Sequence, residues 1–461
     1  METKLLDTTV LPTTNTIENK PCQGSGPELS LSNPKDCSDI VTFQTSSEDD
    51  VNRAIAAANK AFKAEWSTFS GVKRAECLNK YADLLEQHTE EIAYFENYAG
   101  WADKIKGDMY PPDDGYYKIV RHEPLGTCVG ITAWNSSINF FSWKAGPALA
   151  CGNTVIIKPS EKSPLGTLAA GRLIEAAGFP PGVFQVISGA GQVGMQLCSH
   201  MDVQKVSFTG STMTGKKVQE AAAKSNLKRV TLELGGKSPG IVFEDADIEA
   251  AVESSVFGIT VNTGQVCAAT SRLFLHESIA TTFLERMKER FVGLANSLGG
   301  DPQDRSTSYG PLVDKAQYER VIGYIEAGRK DSKPFVGGKE HTNSGYFVEP
   351  TIFLNPNKDG TIYKEEIFGP VLCVYTFQTE DEAIALGNET EYGLAGAIYT
   401  ENLKRALRTS AQLRAGTVSI NAAAVICAQV PMGGFGQSGI GRELGEYALR
   451  HYTEPKTIWI K

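Results

Sequence analysis

The 461-residue sequence predicts an α/β protein organised around parallel sheets. Three observations lead there. Short β-branched runs alternate with helical stretches from about residue 128 to 235. The same alternation returns more loosely over 236–430. The length itself, at ~150 residues per domain, calls for two or three domains.

Residues 1–48, rich in Thr, Asn, Ser and Pro, predict a partly extended arm. Two helical patterns follow over 48–91. Ser46-Ser47-Glu48-Asp49 supplies an N-terminal signal, Ala54, Ala57, Ala58 and Ala61 share one face, and Leu78, Ala82 and Leu85 share another. Strands are predicted at Cys128-Val129-Gly130-Ile131-Thr132-Ala133, Thr154-Val155-Ile156-Ile157-Lys158, Val183-Phe184-Gln185-Val186-Ile187 and Lys205-Val206-Ser207-Phe208. Helices over 142–150, 165–177 and 214–223 separate them. Strand, helix, strand at this spacing implies crossover connections and a nucleotide-binding class of fold. In the second unit, Ile241-Val242-Phe243 and Leu273-Phe274-Leu275 read as strands, with helices over 248–259 and near 278–297. Thr457-Ile458-Trp459-Ile460-Lys461, after Pro455, reads as an edge strand.

Composition removes several function classes. A net charge of −9 argues against a general nucleic-acid surface. The nine cysteines are scattered, odd in number and without a C-x-x-C, which suits free thiols in a reducing compartment. The six histidines show no metal-ligand spacing, so no zinc is expected. The start lacks a signal pattern and no apolar run reaches ~18 residues, which makes the cytosol the expected location and a membrane partner unexpected.

The chemistry centres on Gly264-Gln265-Val266-Cys267-Ala268-Ala269-Thr270-Ser271-Arg272 and on Glu233 in Val230-Thr231-Leu232-Glu233-Leu234-Gly235-Gly236-Lys237. A thiol and a carboxylate among small residues suit covalent catalysis at an aldehyde carbon. The thiol adds to the carbonyl, and the carboxylate activates the water that breaks the resulting thioester. Taken alone, Cys267 reads more readily as an inert core thiol, and it is the combination with the other segments that reverses this. Asn135, after Ala133-Trp134 at a strand end, can donate to an oxyanion together with the Cys267 N–H, or else simply cap a helix. Ser136, Phe140 and Trp143 form one helical stripe beside it, either core or pocket wall.

Four further stretches are candidates for a nucleotide. Lys158-Pro159-Ser160-Glu161 ends a buried strand, where Lys158 and Glu161 can hold ribose hydroxyls or form a surface ion pair. Thr209-Gly210-Ser211-Thr212-Met213-Thr214-Gly215 opens a helix whose free N–H groups suit a pyrophosphate; a plain N-cap is the alternative. Gly189-Ala190-Gly191-Gln192-Val193-Gly194 matches G-x-G-x-x-G, but no ribose acid follows at the usual distance. Glu365-Glu366-Ile367-Phe368-Gly369-Pro370 sets a carboxylate and an aromatic before a turn, to grip a nicotinamide ribose or to lie as an exposed acidic turn.

Together these segments closely resemble the aldehyde dehydrogenase superfamily from about residue 40 to the end. Trp134-Asn135 with Trp143-Lys144 through Gly152-Asn153-Thr154, Lys158 to Glu161, Phe208 to Gly215, Leu232 to Lys237, Gly264 to Arg272, Glu366 to Pro370 and Gly439 to Gly445 each resemble a family signature. The resemblance implies NAD-dependent oxidation of an aldehyde to an acid, with Cys267 as nucleophile, Glu233 as base and Asn135 as oxyanion donor. It places Lys158 and Glu161 at the adenosine ribose, Gly210, Ser211 and Gly215 at the pyrophosphate turn, Leu234 beside them, and Glu366 and Phe368 at the nicotinamide half. Lys144 matches a lysine near the active site. Arg229, Arg442 and Glu454 match positions tying subunits to the active site. The implied domains are a Rossmann-like NAD-binding domain (1–107 and 125–235), an α/β catalytic domain (236–438) and a small β oligomerisation arm (108–124 and 452–461), in a homodimer or homotetramer. A CoA-acylating enzyme and a catalytically silent member are the alternatives, and Glu233 argues against the first. Ser136 and Met432 stand where relatives carry pocket aromatics, while Phe140 adds one. The turn at 189–194 is a residue shorter than usual. Phe95-Glu96-Asn97 runs almost directly into Tyr98, where relatives carry a further turn and helix that wall the substrate tunnel. This implies either a more open tunnel or a lost exon, and a substrate bulkier or more polar than acetaldehyde, from a specialised pathway.

Overall fold

The computed structural model describes residues 10–88, 94–339, 345–423 and 425–461. The first nine residues of the expected arm and the end of the second helical stretch (89–91) fall outside them. The chain forms two large sheets, each with helices on both faces, plus a three-stranded sheet and a hairpin. In the first sheet five parallel strands, Arg229–Glu233, Lys205–Thr209, Thr127–Ile131, Thr154–Lys158 and Phe184–Val186, lie side by side in that order. Gly439–Ile440 closes one edge and Asn15–Ile17 with Lys20–Cys22 the other, both antiparallel. The second sheet is wholly parallel among the described residues: Thr351–Leu354, Val371–Phe377, Arg272–His276, Pro239–Val242, Ala395–Tyr399 and Thr417–Ile420. Apart from the edge strand Thr417–Ile420, burial along these strands is near-continuous, as helices on both faces require.

Local chemistry explains several boundaries. Ser47 caps the helix Glu48–Lys63 in a reciprocal capping box with Asp50, as Ser46-Ser47 led one to expect. The helix expected over 142–150 begins earlier, at Ser137, and runs to Ala150. Ser136 already falls on the helical stripe with Phe140 and Trp143, and Ser137, the first helical residue, is held by the Ser163 hydroxyl at 2.7 Å. The helix expected over 165–177 stops at Gly171. There the strand Asn15–Ile17 comes so close that a Cβ on Gly171 would lie 2.8 Å from the Thr16 hydroxyl.

The N-terminal arm is more structured than its composition implies, since Glu28–Ser32 and Asp39–Gln44 form a hairpin. Its turn reaches the second unit, where the Tyr346 N–H donates to the Pro34 carbonyl and Lys35 pairs with Asp301. The closing strand is longer than expected, Thr453–Ile460. It pairs along its length with Tyr117–Pro124, which in turn pairs with Asp108–Tyr110. After the second sheet the chain returns to the first through Gly439–Ile440 and the helix Gly445–Leu449, whose Ala448 and Leu449 join the first core. At the shortened connection, Phe95 and Tyr98 of the helix Phe95–Ala99 are fully buried in that same core.

Candidate active site

The first sheet reverses its strand order beside Thr127–Ile131. The chain moves to 154–158 and 184–186 on one side, then to 205–209 and 229–233 on the other. In open α/β sheets the crevice beyond the carboxyl ends at such a point receives the ligand. A cleft of about 410 Å³ lies there, between the two sheets. Its walls include Asn135, Lys158, Glu161, Gly210, Ser211, Glu233, Leu234, Cys267, Glu366 and Phe368. Of the expected site residues only Gly215 does not line the cleft; it packs beneath, where a Cβ would run into Leu234.

Cys267 follows a backbone turn in which Asn262, Thr263 and Gly264 have φ of 48°, 56° and 73°. Three successive left-handed residues store strain, most of all at β-branched Thr263. The turn is held by its surroundings. Thr263 donates to the Gly310 carbonyl at 2.8 Å, and Gln265 accepts from the Val313 N–H at 2.9 Å. Gly264 abuts the Gly369 carbonyl, with no room for a Cβ. Asn135 donates one amide hydrogen to the Gln265 carbonyl at 3.0 Å, and Asn262 donates to the Asn135 carbonyl at 3.2 Å. The amide is thereby oriented by the nucleophile turn itself and keeps its second hydrogen for another acceptor.

Glu233 ends its strand against the same turn, for Gly236 packs directly on the Cys267 carbonyl. The Glu233 carboxyl is buried, and its Oε1 has no protein partner. Burial pushes its pKa well above the usual carboxylate range, and the nearby Glu443 adds like-charge repulsion that Lys144 and Arg442 only partly offset. Behind it Lys144, fully buried, donates to Glu443 at 2.6 Å and to Thr209 at 2.7 Å, and Ser207 donates to the same Glu443 oxygen at 2.9 Å. The Cys267 thiol is pushed up to about 12 by burial, then by Glu366 and Glu233. The reacting pair is thus a protonated thiol beside a carboxyl group with raised proton affinity.

Lys158 is buried at its strand end, with Nζ 2.9 Å from the Pro159 carbonyl and 3.4 Å from Glu161. Glu161 stays partly exposed in the cleft, where its charge would repel a 2′-phosphate but accept from a ribose hydroxyl. Ser211 caps the helix Thr212–Lys224, accepting from the Thr214 N–H at 3.3 Å, so its hydroxyl serves the helix end that faces the cleft. Across the cleft Glu366 accepts from the Gly236 N–H at 3.2 Å, and burial raises its pKa to about 7. Phe368, at φ 59°, stands edge-on to Trp134 at 5.2 Å. This donor set, a ribose-directed Lys and Glu, a helix N-terminus and a second carboxylate, suits a dinucleotide lacking a 2′-phosphate. Among the described residues no cluster of His, Cys, Asp and Glu could hold a metal.

Sequence reasoning missed four contributors. Glu443 was legible only as part of the tail signature. Gln317 donates to the Phe368 carbonyl at 2.7 Å and Arg320 to the Glu366 carbonyl at 2.8 Å, from a helix with no motif of its own. The glycine turn at 189–194, discounted for want of a ribose acid, supplies Gly191 and Gly194 to the cleft wall. Arg229 and Glu454, which the sequence did single out, pair at 2.6 Å and join the first sheet to the closing strand.

The model of the aldehyde dehydrogenase family matches residues 22–97 and 92–458. The two matches meet at the shortened Phe95–Tyr98 connection. The aldehyde dehydrogenase of Davidiella tassiana is 46% identical across 98% of this chain and 95% of its own length. That alignment spans 477 positions, more than the 461 residues present, so the relative carries residues this chain lacks. Among solved structures, the aldehyde dehydrogenase KauB from Pseudomonas aeruginosa shares 38% identity at a TM-score of 0.94, over 98% of this chain and 97% of that one. The NAD+ complex of an aldehyde dehydrogenase from Bacillus cereus shares 39% identity at a TM-score of 0.93, over 97% and 96%. With the family matched over nearly its whole length and its architecture superposing throughout, the chain belongs to the aldehyde dehydrogenase family and is an oxidoreductase acting on aldehydes.

Proposed function

We propose that this enzyme oxidises an aldehyde to a carboxylic acid with NAD as acceptor, through a thiohemiacetal and then a thioester on Cys267. The observation that carries the reading is the convergence of Cys267, Asn135 and a buried Glu233 of raised proton affinity on one cleft. Cys267 gives up its thiol proton to solvent and adds as the thiolate to the carbonyl carbon, the carbon–sulfur bond forming as the carbonyl π pair moves onto oxygen. The free Asn135 amide hydrogen and the Cys267 N–H stabilise the oxyanion, each directed by the strained turn. NAD, when bound, accepts the hydride whose loss converts the thiohemiacetal to the thioester. Glu233 then takes a proton from the attacking water, helped by its raised proton affinity. Lys158 and Glu161 would hold the adenosine ribose, Gly210 and Ser211 the pyrophosphate with Gly215 and Leu234 packed beneath, and Glu366 and Phe368 the nicotinamide half.

Residues 1–107 and 125–235 form the NAD-binding domain, rejoined by the chain after 438. Residues 236–438 form the catalytic domain, and 108–124 with 452–461 the arm. Met109, Tyr110, Tyr117, Trp459 and Ile460 leave the arm with an exposed apolar surface, which supports a homodimer or homotetramer. No helix among the described residues is long and apolar enough to cross a membrane, in keeping with a cytosolic site of action. The packed junction at Phe95 and Tyr98 argues against a silent protein damaged by its shortened connection.

The test is NADH formation across aliphatic and aromatic aldehydes, with the acid identified as product and CoA added in a parallel arm. Acid formation indifferent to CoA supports the reading. Acyl-CoA as product, or no turnover from folded, NAD-binding protein, overturns it. Asn135→Ala is expected to lower kcat by ~10²–10³ with little change in KM, as for loss of one oxyanion donor.

A further inference from the structure

Two charged side chains meet across the mouth of the cleft. Lys162 follows the strand end at Lys158 in the first sheet and lines the cleft. Asp314 stands at the other wall, as N-cap of the helix Lys315–Asp331, whose Val321 and Ile325 pack in the core of the second sheet. Lys162 Nζ lies 2.7 Å from Asp314 Oδ2, with the two side chains 27% and 32% exposed, so the pair sits at the rim while Lys158 lies beneath it. Exposed ion pairs are usually weak, because two long side chains must be ordered to form them. Here both ends are already fixed. Asp314 accepts from the Gln317 N–H at 2.8 Å through its other oxygen. The Lys162 ammonium sits over the Trp134 ring, 5.6 Å from its centre, and Trp134 meets Phe368 of the opposite wall edge-on. The segment that ends at Asp314 also holds the nucleophile turn, through Gly310 to Thr263 and Val313 to Gln265. One and two turns beyond Asp314, Gln317 and Arg320 hold the carbonyls of Phe368 and Glu366. The pair thus links the Lys158–Glu161 end of the cleft to the part of the second unit that positions Cys267, Glu366 and Phe368.

We infer that the Lys162–Asp314 pair is a clasp that closes the two units over the bound dinucleotide and slows its departure. A dinucleotide held at Lys158 and Glu161 on one wall and at Glu366 and Phe368 on the other must part those walls to leave. Parting them at the rim separates Lys162 from Asp314 and lifts Trp134 from Phe368. Both charges then return to water, so the clasp contributes a modest factor that falls with added salt. Lys162 and Asp314 are positioning residues, acting on the walls and not on the reacting atoms. The inference rests on NAD binding in this cleft.

The test is stopped-flow dissociation of NADH, followed by nucleotide fluorescence, from the wild type, Lys162→Gln, Asp314→Asn and the double variant. Asn keeps the helix cap, so the Asp314 change removes charge alone. Each single change is expected to speed dissociation ~2–5-fold, the scale of an exposed ion pair. The double variant should release NADH no faster than either single one, since the same interaction is lost only once. Added salt should speed release from the wild type more than from the double variant. Unchanged rates in the single variants, or fully additive effects in the double one, overturn the clasp. Acceleration by Lys162→Gln alone also overturns it, and marks Lys162 as a direct contact to the phosphates. Each of these outcomes leaves NAD binding intact. No NADH binding by the folded wild type overturns the cofactor reading and this inference with it.

Discussion

Cys267→Ala is expected to abolish aldehyde-dependent NADH formation, by at least ~10⁴-fold, while NAD still binds and the fold holds. Removing a nucleophile from a cooperating set costs nearly all of the chemical acceleration. The other eight cysteines offer no substitute. None of them lines the cleft, and Cys77, Cys128, Cys151, Cys198 and Cys373 are buried with thiols raised by burial. Binding is expected to survive because Cys267 makes no contact that organises the nucleotide side of the cleft. The Asn262-Thr263-Gly264 turn is held by Gly310, Val313 and Gly369, not by the thiol. Cofactor titration by fluorescence and a melting curve check those two points. Substantial NADH formation by Cys267→Ala would remove the covalent mechanism.

The same residue yields a graded test. With its thiol raised to about 12, Cys267 is protonated in the free enzyme. Its alkylation by iodoacetamide, followed by peptide mapping, is expected to be slow at neutral pH and to accelerate as pH rises past 9. A fast, pH-independent reaction at neutral pH would mean a preformed thiolate and would contradict the burial seen here.

The parts of this site that could be read from the sequence share one property: each is a short segment whose own backbone does the work. The Gly264 to Cys267 turn, the strand end at Lys158 and the cap at Ser211 are local devices, so residue type and order reveal them. Glu443, Gln317 and Arg320 are different. Each reaches the site from an element distant in sequence, and its role exists only because another segment arrives beside it. Glu443 matters because Lys144 and Ser207 enclose it, across separations of 299 and 236 residues that no periodicity encodes. The misread helix boundaries have the same origin. The helix that stops at Gly171 is shaped by the approach of Thr16, and the one that starts at Ser137 by Ser163. Of the architecture, the first parallel sheet was legible because crossover connections leave an alternating pattern, whereas only the strands Pro239–Val242 and Arg272–His276 of the second sheet's six were read. The return of 439–451 to the first sheet was not, since a two-residue edge strand leaves no pattern.

Glu233→Gln is expected to stall the enzyme after its first turnover. The thiohemiacetal and thioester steps need Cys267 and Asn135, so NADH should appear as a burst equal to the number of sites. Steady-state turnover should then fall by ~10²–10⁴, the usual worth of a general base. A loss of the burst along with turnover would place Glu233 before the thioester. Stability should move the other way. Glu233 has its folded pKa raised above the unfolded value, so whatever it contributes is present at low pH and lost as pH rises through the folded pKa. A neutral Gln escapes that loss, and the variant should melt no lower than the wild type, and higher above the raised pKa. Glu443→Gln tests the cause of the shift. It removes a repelling charge and releases Lys144 from its partner, and both changes lower the proton affinity of Glu233. The acid limb of the deacylation rate should therefore move to lower pH. An acid limb that stays in place would assign the raised affinity to burial alone, and one that moves upward would mean that Glu443 is not the charge Glu233 feels.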